Sequence, residues 1–316
     1  MKKHKFLVST VIITVLVSGF IYIYKTNTNG NYNADSKIIT DNNTIPPVTG
    51  TNKLPAITPG NNKNYNIINP SGKTLSARIN TPEGYKRTPA SAKSLAKFLR
   101  NYKMKKDGKP VLLYDGNQKG NQSAHAAVFK LPIENEDLQQ CADSIMRVYA
   151  EYFWHTGQKD RIKFHFVDGF LAEYSKWRAG ARIQATDNGT YWVNSATTDN
   201  SYKAFKKYLR MVFAYSGTLS MEAESKKIKL DKLRTGDIFI KGGSPGHVVM
   251  VADVCKNQDG KKAFLLAQGY MPAQQFHVLK NPAHEDDPWY YEDEVRYPFV
   301  TPEYTFGKGS LKRLNY

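Results

Sequence analysis

The segment QQCADSIMRVYAEY, residues 139–152, sets the architecture of this chain, because it puts a cysteine near the front of an apolar stretch with helical spacing. Its apolar side chains recur every three or four residues and form one stripe, made of Leu138, Cys141, Ile145, Val148 and Tyr152. Asp137 is a suitable N-cap, so the pattern predicts a helix over residues 137–154. Cys141 then lies in the opening turns, where unpaired backbone N–H groups favour negative charge.

Strands dominate the last third of the chain. Four apolar runs follow one another at short intervals there, namely GDIFIKG (236–242), GHVVMVADVC (246–255), KAFLLAQGY (262–270) and QFHVLKNP (275–282). Earlier strands are predicted in PVLLYDG (110–116) and HAAVFKL (125–131), and earlier helices in SAKSLAKFLRNY (91–102) and around a Gly-, Asn- and Thr-rich loop between 160 and 230. Helices followed by a meander of strands indicate an α+β domain with an antiparallel sheet.

The first 70 residues have the composition of an export segment followed by a linker. Residues 2–5 read KKHK, residues 6–24 contain no charged side chain, and Lys25 closes the run. A basic start before about twenty apolar residues indicates export, with 1–25 either a cleaved signal or a retained membrane anchor. Residues 26–70 are rich in Asn, Thr, Pro and Gly and are predicted to be a disordered linker. A globular domain over 71–316, outside the cytoplasm, is therefore expected.

The charge of the chain points to anionic surroundings. Lysine and arginine total 45 against 28 acidic residues, for a formal net charge of +17. For an exported protein, anionic envelope polymers or lipid head groups are better candidates as partners than nucleic acid. The sequence has no metal-ligand spacing, no phosphate-binding glycine loop and no aromatic-and-basic nucleic-acid pattern, so we expect no metal, no cofactor and no nucleic acid.

Cys141 has three possible uses. A cysteine attacks an acyl group as the thiolate, so a helix N-terminus and a nearby imidazole would favour a role as nucleophile. Its position on the apolar stripe also fits an inert core residue. A disulfide with Cys255, the other cysteine of the chain, is the third alternative and is compatible with export.

His247 is the histidine best placed to act as a base, since it opens an apolar strand directly after GGSPG. His125 and His277 also lie on predicted strands and remain alternatives. A third group normally orients such an imidazole, and Gln268, a polar residue in the apolar run AFLLAQGY, suits that role. Asp253, six residues after His247, is an alternative orienting group if the strand is regular.

A resemblance follows from the order of these residues. Gln140-Cys141 opening a helix, Gly236-Asp237 opening a strand and Gly246-His247-Val248-Val249 opening the next resemble the cysteine- and histidine-dependent amidohydrolase/peptidase domains of the papain-like superfamily. The resemblance implies a Cys helix packed on an antiparallel sheet, with Cys141 as nucleophile, His247 as general base and Gln268 where that family usually carries Glu, Asn or Asp. It also implies that residues 160–230 form an inserted helical subdomain, because the Cys and His lie far apart in the chain.

Across residues 70–316 the chain also resembles an uncharacterised family of exported bacterial proteins, through DLQQCAD, GDIFIKGGSPGH and LLAQGYMPAQ. Two hypotheses follow. The first is a cysteine amidase or peptidase that acts on peptidoglycan-like peptides of the cell envelope. The second is a non-catalytic module that binds a glycan or peptide in an aromatic groove, with the groove residues drawn from Tyr270, Trp289, Tyr290 and Tyr291.

Overall fold

The structure is a computed structural model that describes residues 15–17, 20–22 and 66–316. Two short strands, β1 (Val15–Val17) and β2 (Phe20–Tyr22), pair antiparallel. The rest of the predicted export segment, and the predicted linker as far as residue 65, lie outside the described residues. No helix among the described residues has both the length and the apolar character needed to cross a membrane.

Residues 66–316 contain six α-helices, two 3₁₀ turns and fifteen strands. The helices are α1 (Leu75–Arg78), α2 (Leu95–Arg100), α3 (Cys141–His155), α4 (Tyr174–Arg178), α5 (Tyr202–Tyr215) and α6 (Thr218–Ala223), and the 3₁₀ turns are Lys159–Arg161 and Leu230–Lys232. The first strands are β3 (Lys86–Arg87), β4 (His125–Val128), β5 (Lys163–His165), β6 (Leu171–Glu173), β7 (Ala181–Thr186), β8 (Gly189–Asn194) and β9 (Ser225–Lys227). The later strands are β10 (Ile238–Lys241), β11 (His247–Lys256), β12 (Lys262–Gln268), β13 (His277–Leu279), β14 (Trp289–Tyr291), β15 (Phe299–Val300), β16 (Thr305–Phe306) and β17 (Leu311–Leu314).

One antiparallel sheet organises this part of the chain. Nine of the strands in residues 66–316 join it, in the order β4-β13-β12-β11-β10-β17-β9, with β14 added to β12 and β3 added to β11. The predicted α+β class and the meander of strands are confirmed. The strand β17 was not predicted, and it inserts between β10 and β9 from near the end of the chain.

The central strand β11 is buried on both faces, which explains its nearly unbroken apolar sequence. Val248, Met250 and Ala252 share a core with α3. Val249 and Val251 belong to a second core, on the other face, together with Phe306. The strand therefore separates a helical layer from a layer built by the C-terminal segments.

The helix α3 begins at Cys141, four residues later than the pattern predicted. Gln140 is the extended N-cap residue, and its backbone N–H donates to Asp143 Oδ2 at 3.1 Å. Asp137, the predicted cap, instead accepts from Gln140 Nε2 at 3.0 Å and from the backbone N–H of Ala273 at 2.6 Å. This carboxylate ties the approach to α3 to the segment between β12 and β13, and the thiol becomes the first side chain of the helix.

The interpretation of residues 160–230 as a helical insert is wrong in part. The region holds α4, α5 and α6, but also the hairpins β5–β6 and β7–β8. The Gly-, Asn- and Thr-rich loop is the β7–β8 hairpin, whose turn at DNG uses Gly189 with a positive φ of 120°. Turn residues between two short alternating runs favour a hairpin, and the sequence interpretation gave them too little weight.

Asp253 is not an orienting group for His247. The pairing of β11 with β12 shifts between Val251 and Asp253, so the regular alternation is lost at that point. The buried carboxylate of Asp253 accepts from Arg87 Nε at 2.7 Å and from Arg100 Nε at 2.6 Å. Asp253 therefore fastens β3 and α2 to the central strand.

Replacing Asp253 with Asn should lower the free energy of unfolding by about 3 kcal/mol, because two partly buried guanidinium groups would lose their counter-charge. Urea unfolding followed by circular dichroism measures this. The control is Asp259→Asn on an exposed turn, which should change stability by less than about 0.5 kcal/mol. Equal effects of the two substitutions would contradict the assigned role of Asp253.

Candidate functional site

The candidate site lies at the end of the sheet where β11 and β12 separate. Their last paired residues there are Met250 and Ala267, and β12 ends one residue later, at Gln268. Gly269 follows and makes close contact with the first turn of α3: a Cβ atom on it would lie 2.2 Å from Ser144 Oγ and 3.1 Å from the Gln140 carbonyl oxygen. The absence of a side chain at Gly269 thus lets the N-terminus of α3 reach the end of the sheet.

Cys141 lies at this opening. Its thiol is beside the backbone amide of Val248, the residue after His247, and this amide favours the thiolate form. Burial raises the phenol pKa of Tyr270 and Tyr304, and a negative charge on Cys141 raises both further. The sulfur is therefore close to the start of β11 and to both of these rings.

His247 lies at the same end of β11, with its ring on the other face of the sheet. Its ring lies 6.1 Å from that of Phe306, in the core opposite α3, and 4.8 Å and 5.0 Å from the rings of Tyr270 and Tyr304. The two tyrosines thus contact the imidazole and border the thiol. Cys141, on the α3 side, is beside the amide of Val248, and His247, on the opposite face, is the preceding residue, so both lie at the same end of β11.

Gln268 holds the imidazole from the neighbouring strand. His247 Nε2 and Gln268 Oε1 are 2.7 Å apart, and both groups are buried. Gln268 Nε2 in turn donates to Glu303 Oε2 at 2.7 Å, and the Glu303 carboxylate forms an ion pair with Lys119. The structure therefore pairs His247 with Gln268 and extends the series to Glu303 and Lys119, two residues that sequence reasoning missed.

Glu303 and Lys119 carry no sequence signal that marks them. Lys119 lies in the Gly- and Asn-rich stretch DGNQKGN (115–121), and Glu303 lies in TPEYTFG (301–307). Charged residues in such stretches are ordinarily exposed. Both side chains are almost fully buried, with exposures of 7% and 9%. A buried ion pair between segments so far apart in the chain becomes visible only in the fold.

The other two candidate histidines lie farther along the sheet. His277 is paired with Gln268 across β12 and β13, so β12 separates it from His247 on β11. Its Nε2 is 3.9 Å from Glu303 Oε2 and has no hydrogen-bond partner among the described residues. The ring of His125 follows at 6.2 Å from that of His277. Neither histidine occupies the gap beside Cys141.

The electrostatics of Cys141 differ from the expected activated thiol. Burial raises the pKa of the thiol to about 11, and the neighbouring Asp143 carboxyl raises it too. The backbone amides of Ala142, of Cys141 itself and of Val248 act in the opposite direction and are outweighed. The expected positive environment of the helix N-terminus is present, but desolvation of a side chain that is only 6% exposed has the larger effect.

His247 is also neutral near pH 7. Burial lowers its pKa to about 4, the hydrogen bond to Gln268 opposes this, and the charge of Lys119 lowers the pKa further. At rest the thiol and the imidazole are therefore both neutral.

The predicted alternative of a disulfide is wrong, since both cysteines are free and buried. Cys255 lies toward the far end of β11, where its Sγ is 3.6 Å from the carbonyl oxygen of Ala263. Cys141 is beside Val248. Cys255 lies seven residues farther along the strand, so the distance from Val248 to Cys255 is on the order of 20 Å. A disulfide requires Cα atoms within about 7 Å.

The predicted aromatic groove is wrong for two of its four residues. Trp289 and Tyr290 are buried in the cores of the sheet. Tyr270, together with Tyr304, covers His247 instead. Four cavities in residues 66–316, of about 210 to 1280 Å³, are lined by other residues than Cys141, His247 and Gln268. In the same residues, no group of three or more His, Cys, Asp or Glu side chains is arranged to hold a metal ion.

The comparisons with known proteins agree with the expectation of an uncharacterised family. A family model described as a domain of unknown function (4846) matches residues 75–313, and the chain belongs to this family. The match includes all of the residues that form the candidate site. No curated protein and no solved structure matches the chain.

Acid should destabilise the protein through its buried histidines. Burial lowers the pKa of His247 to about 4 and that of His277 to about 3, from an ordinary value of 6.5. At these two side chains the unfolded chain therefore binds more protons than the folded one below pH 6.5, so their contribution to stability falls as the pH drops from about 6.5 toward 4.

We expect a loss of about 1.4 kcal/mol per pH unit for each buried histidine in this range. Urea unfolding at a series of pH values measures the slope. His277→Gln should reduce the slope by the contribution of one histidine, about 1.4 kcal/mol per pH unit. His284→Gln, which removes a histidine in an exposed ion pair with Glu294, should leave the slope unchanged. An unchanged slope in His277→Gln would contradict the burial argument.

Proposed function

We propose that this member of the family is a cysteine hydrolase of the cell envelope, which cleaves amide bonds in peptide or peptidoglycan-like substrates. The proposal is supported by the position of Cys141, first in α3 and beside the backbone amide of Val248, and by the His247–Gln268 hydrogen bond at the same end of β11. A thiol at a helix N-terminus, a buried imidazole and an amide that orients it are the groups that acyl transfer requires.

In the proposed reaction, the Cys141 sulfur attacks the carbonyl carbon of the substrate while its proton passes to the free ring nitrogen of His247. The tetrahedral intermediate then collapses, the C–N bond breaks, and His247 returns the proton to the leaving amine. Water hydrolyses the resulting thioester, with His247 again taking and returning one proton. Backbone N–H groups in the first turn of α3 are suitable donors to the developing oxyanion.

The two pKa values argue against a stored thiolate–imidazolium pair. Burial raises the thiol pKa to about 11 and lowers the imidazole pKa to about 4, so both shifts favour the neutral forms in the resting protein. Proton transfer therefore accompanies attack on the substrate.

Substrate must displace part of the cover over the site. Tyr304 is held there by a hydrogen bond of 3.4 Å from its hydroxyl to the carbonyl oxygen of Pro245, which is exposed. Tyr270 donates at 3.3 Å to the carbonyl oxygen of Glu303, and the adjacent Met271 is 53% exposed. We assign the movement to the side chain of Tyr304, because the only described hydrogen bond of its hydroxyl is a long one to an exposed loop.

The proposed location in the cell envelope is supported by the export-like N-terminal sequence and by the net charge of +17. A basic protein outside the cytoplasm is attracted to anionic polymers of the cell wall and to anionic lipid head groups. Peptide cross-links of such polymers contain the amide bonds on which the proposed chemistry acts.

A second candidate function is a non-catalytic envelope module that binds peptide or glycan on the same fold. The observation that favours it is the setting of Cys141, whose thiol is buried and has a raised pKa. On this reading the cysteine is a core residue of α3, and ligand binding does not depend on it.

The replacement Cys141→Ala tests the two candidates in the full-length protein. With dye-labelled peptidoglycan as the probe, the hydrolase proposal predicts at least a 1000-fold loss of dye release, because the acyl-enzyme cannot form. The matched control is Cys255→Ala, which also removes a buried thiol and should retain activity within about threefold. Equal dye release from the wild type and Cys141→Ala would contradict the proposal. Sedimentation with peptidoglycan, without dye release from either protein, would support the binding module.

A further inference from the structure

We infer that Glu303 is a positioning residue, whose carboxylate fixes the orientation of the Gln268 amide and thereby selects the tautomer of His247. The selected form carries its proton on Nε2 and leaves Nδ1 free to accept the proton of Cys141. The consequence for catalysis rests on the proposed function, whereas the choice of tautomer rests only on the hydrogen bonds of the resting protein.

The first step is the orientation of the amide. A carboxylate can only accept hydrogen bonds, and one side-chain terminus of Gln268 lies 2.7 Å from Glu303 Oε2. That terminus must be the NH₂ group, since two acceptors at this distance would repel each other. The carbonyl oxygen Oε1 of Gln268 consequently faces His247.

The second step is the position of the imidazole proton. Gln268 Oε1 is an acceptor, and it lies 2.7 Å from His247 Nε2, so Nε2 must be the protonated nitrogen. A neutral imidazole has one N–H group, which leaves a lone pair on Nδ1. Without Glu303 behind it, the amide of Gln268 would be free to turn over and offer its NH₂ group to Nε2, which would move the imidazole proton to Nδ1.

Lys119 holds the Glu303 carboxylate in place. The ammonium group forms an ion pair with Glu303 Oε2, the same oxygen that accepts from Gln268, and both side chains are less than 10% exposed. Gln268 has no carboxylate of its own. Glu303 supplies one behind it, so the carboxylate is linked to the imidazole through the Gln268 amide.

Nitrogen NMR of the full-length protein labelled with ¹⁵N-histidine tests the inference, because the two ring nitrogens of a neutral imidazole differ strongly in shift according to which one is protonated. His247→Gln assigns the signal of His247. In the wild type we expect the Nε2–H form, and in Glu303→Gln we expect a substantial population of the Nδ1–H form, since a Gln at 303 can face Gln268 with either end of its amide. The control Glu294→Gln removes a carboxylate that contacts a different histidine, His284, and should leave the His247 signal unchanged.

The double substitution Lys119→Met/Glu303→Gln covers the case in which Glu303→Gln leaves the Lys119 ammonium buried without a partner and prevents folding. It removes both charges together and should release the tautomer in the same way. A wild-type His247 in the Nδ1–H form, or an unchanged Nε2–H form in both variants, would overturn the inference.

Activity gives a separate readout. If the proposed function holds, Glu303→Gln should lower kcat at least tenfold with KM within about twofold, because the base and not the binding surface is altered. An unchanged kcat in a variant whose tautomer has shifted would overturn the catalytic part of the inference. The tautomer is measured without substrate, so the expected NMR result in a protein that cleaves no peptidoglycan would count against the proposed function alone.

Discussion

The architecture of the site depends on one close approach, between the first turn of α3 and the backbone at Gly269. At this point β12 has ended and β11 no longer has a partner on that side, so the sheet has a gap that the helix N-terminus fills. Asp137 strengthens the same contact by binding the backbone of Ala273. The thiol carried by the helix thereby lies beside the backbone amide of Val248, the residue that follows His247.

Burial has a larger effect than the helix N-terminus on the protonation of this pair. Backbone amides around the Cys141 sulfur favour the thiolate, yet the thiol pKa rises, and the imidazole pKa falls for the same reason. Cys141 and His247 are therefore both neutral, and the rings of Tyr270 and Tyr304 lie against the imidazole. Under the proposed function, catalysis depends on substrate entry and on the free ring nitrogen of His247, and we infer that the hydrogen-bonded series Gln268–Glu303–Lys119 determines which nitrogen that is.

Much of the fold could be predicted from the sequence because its signals are local. The stripe of α3 and the apolar runs of β10, β11 and β12 follow directly from periodicity, and so does the choice of His247 and Gln268, each at an end of such a run. The start of α3 at Cys141 could not be predicted. In the sequence Asp137 has the character of an N-cap, but in the fold its carboxylate accepts from the backbone N–H of the distant Ala273. Glu303 and Asp253 show the same limit: their roles come from partners more than thirty residues away.

The most direct test of the central claim is mass spectrometry of the protein quenched while it reacts with an activated ester of an acyl-dipeptide. The account predicts a thioester adduct on the peptide that contains Cys141, formed in the wild type and at least a hundredfold more slowly in His247→Gln, because the attacking thiol would lose its base. Adduct formation at the same rate without His247, or modification of Cys255 instead of Cys141, would contradict the claim that these two side chains act together.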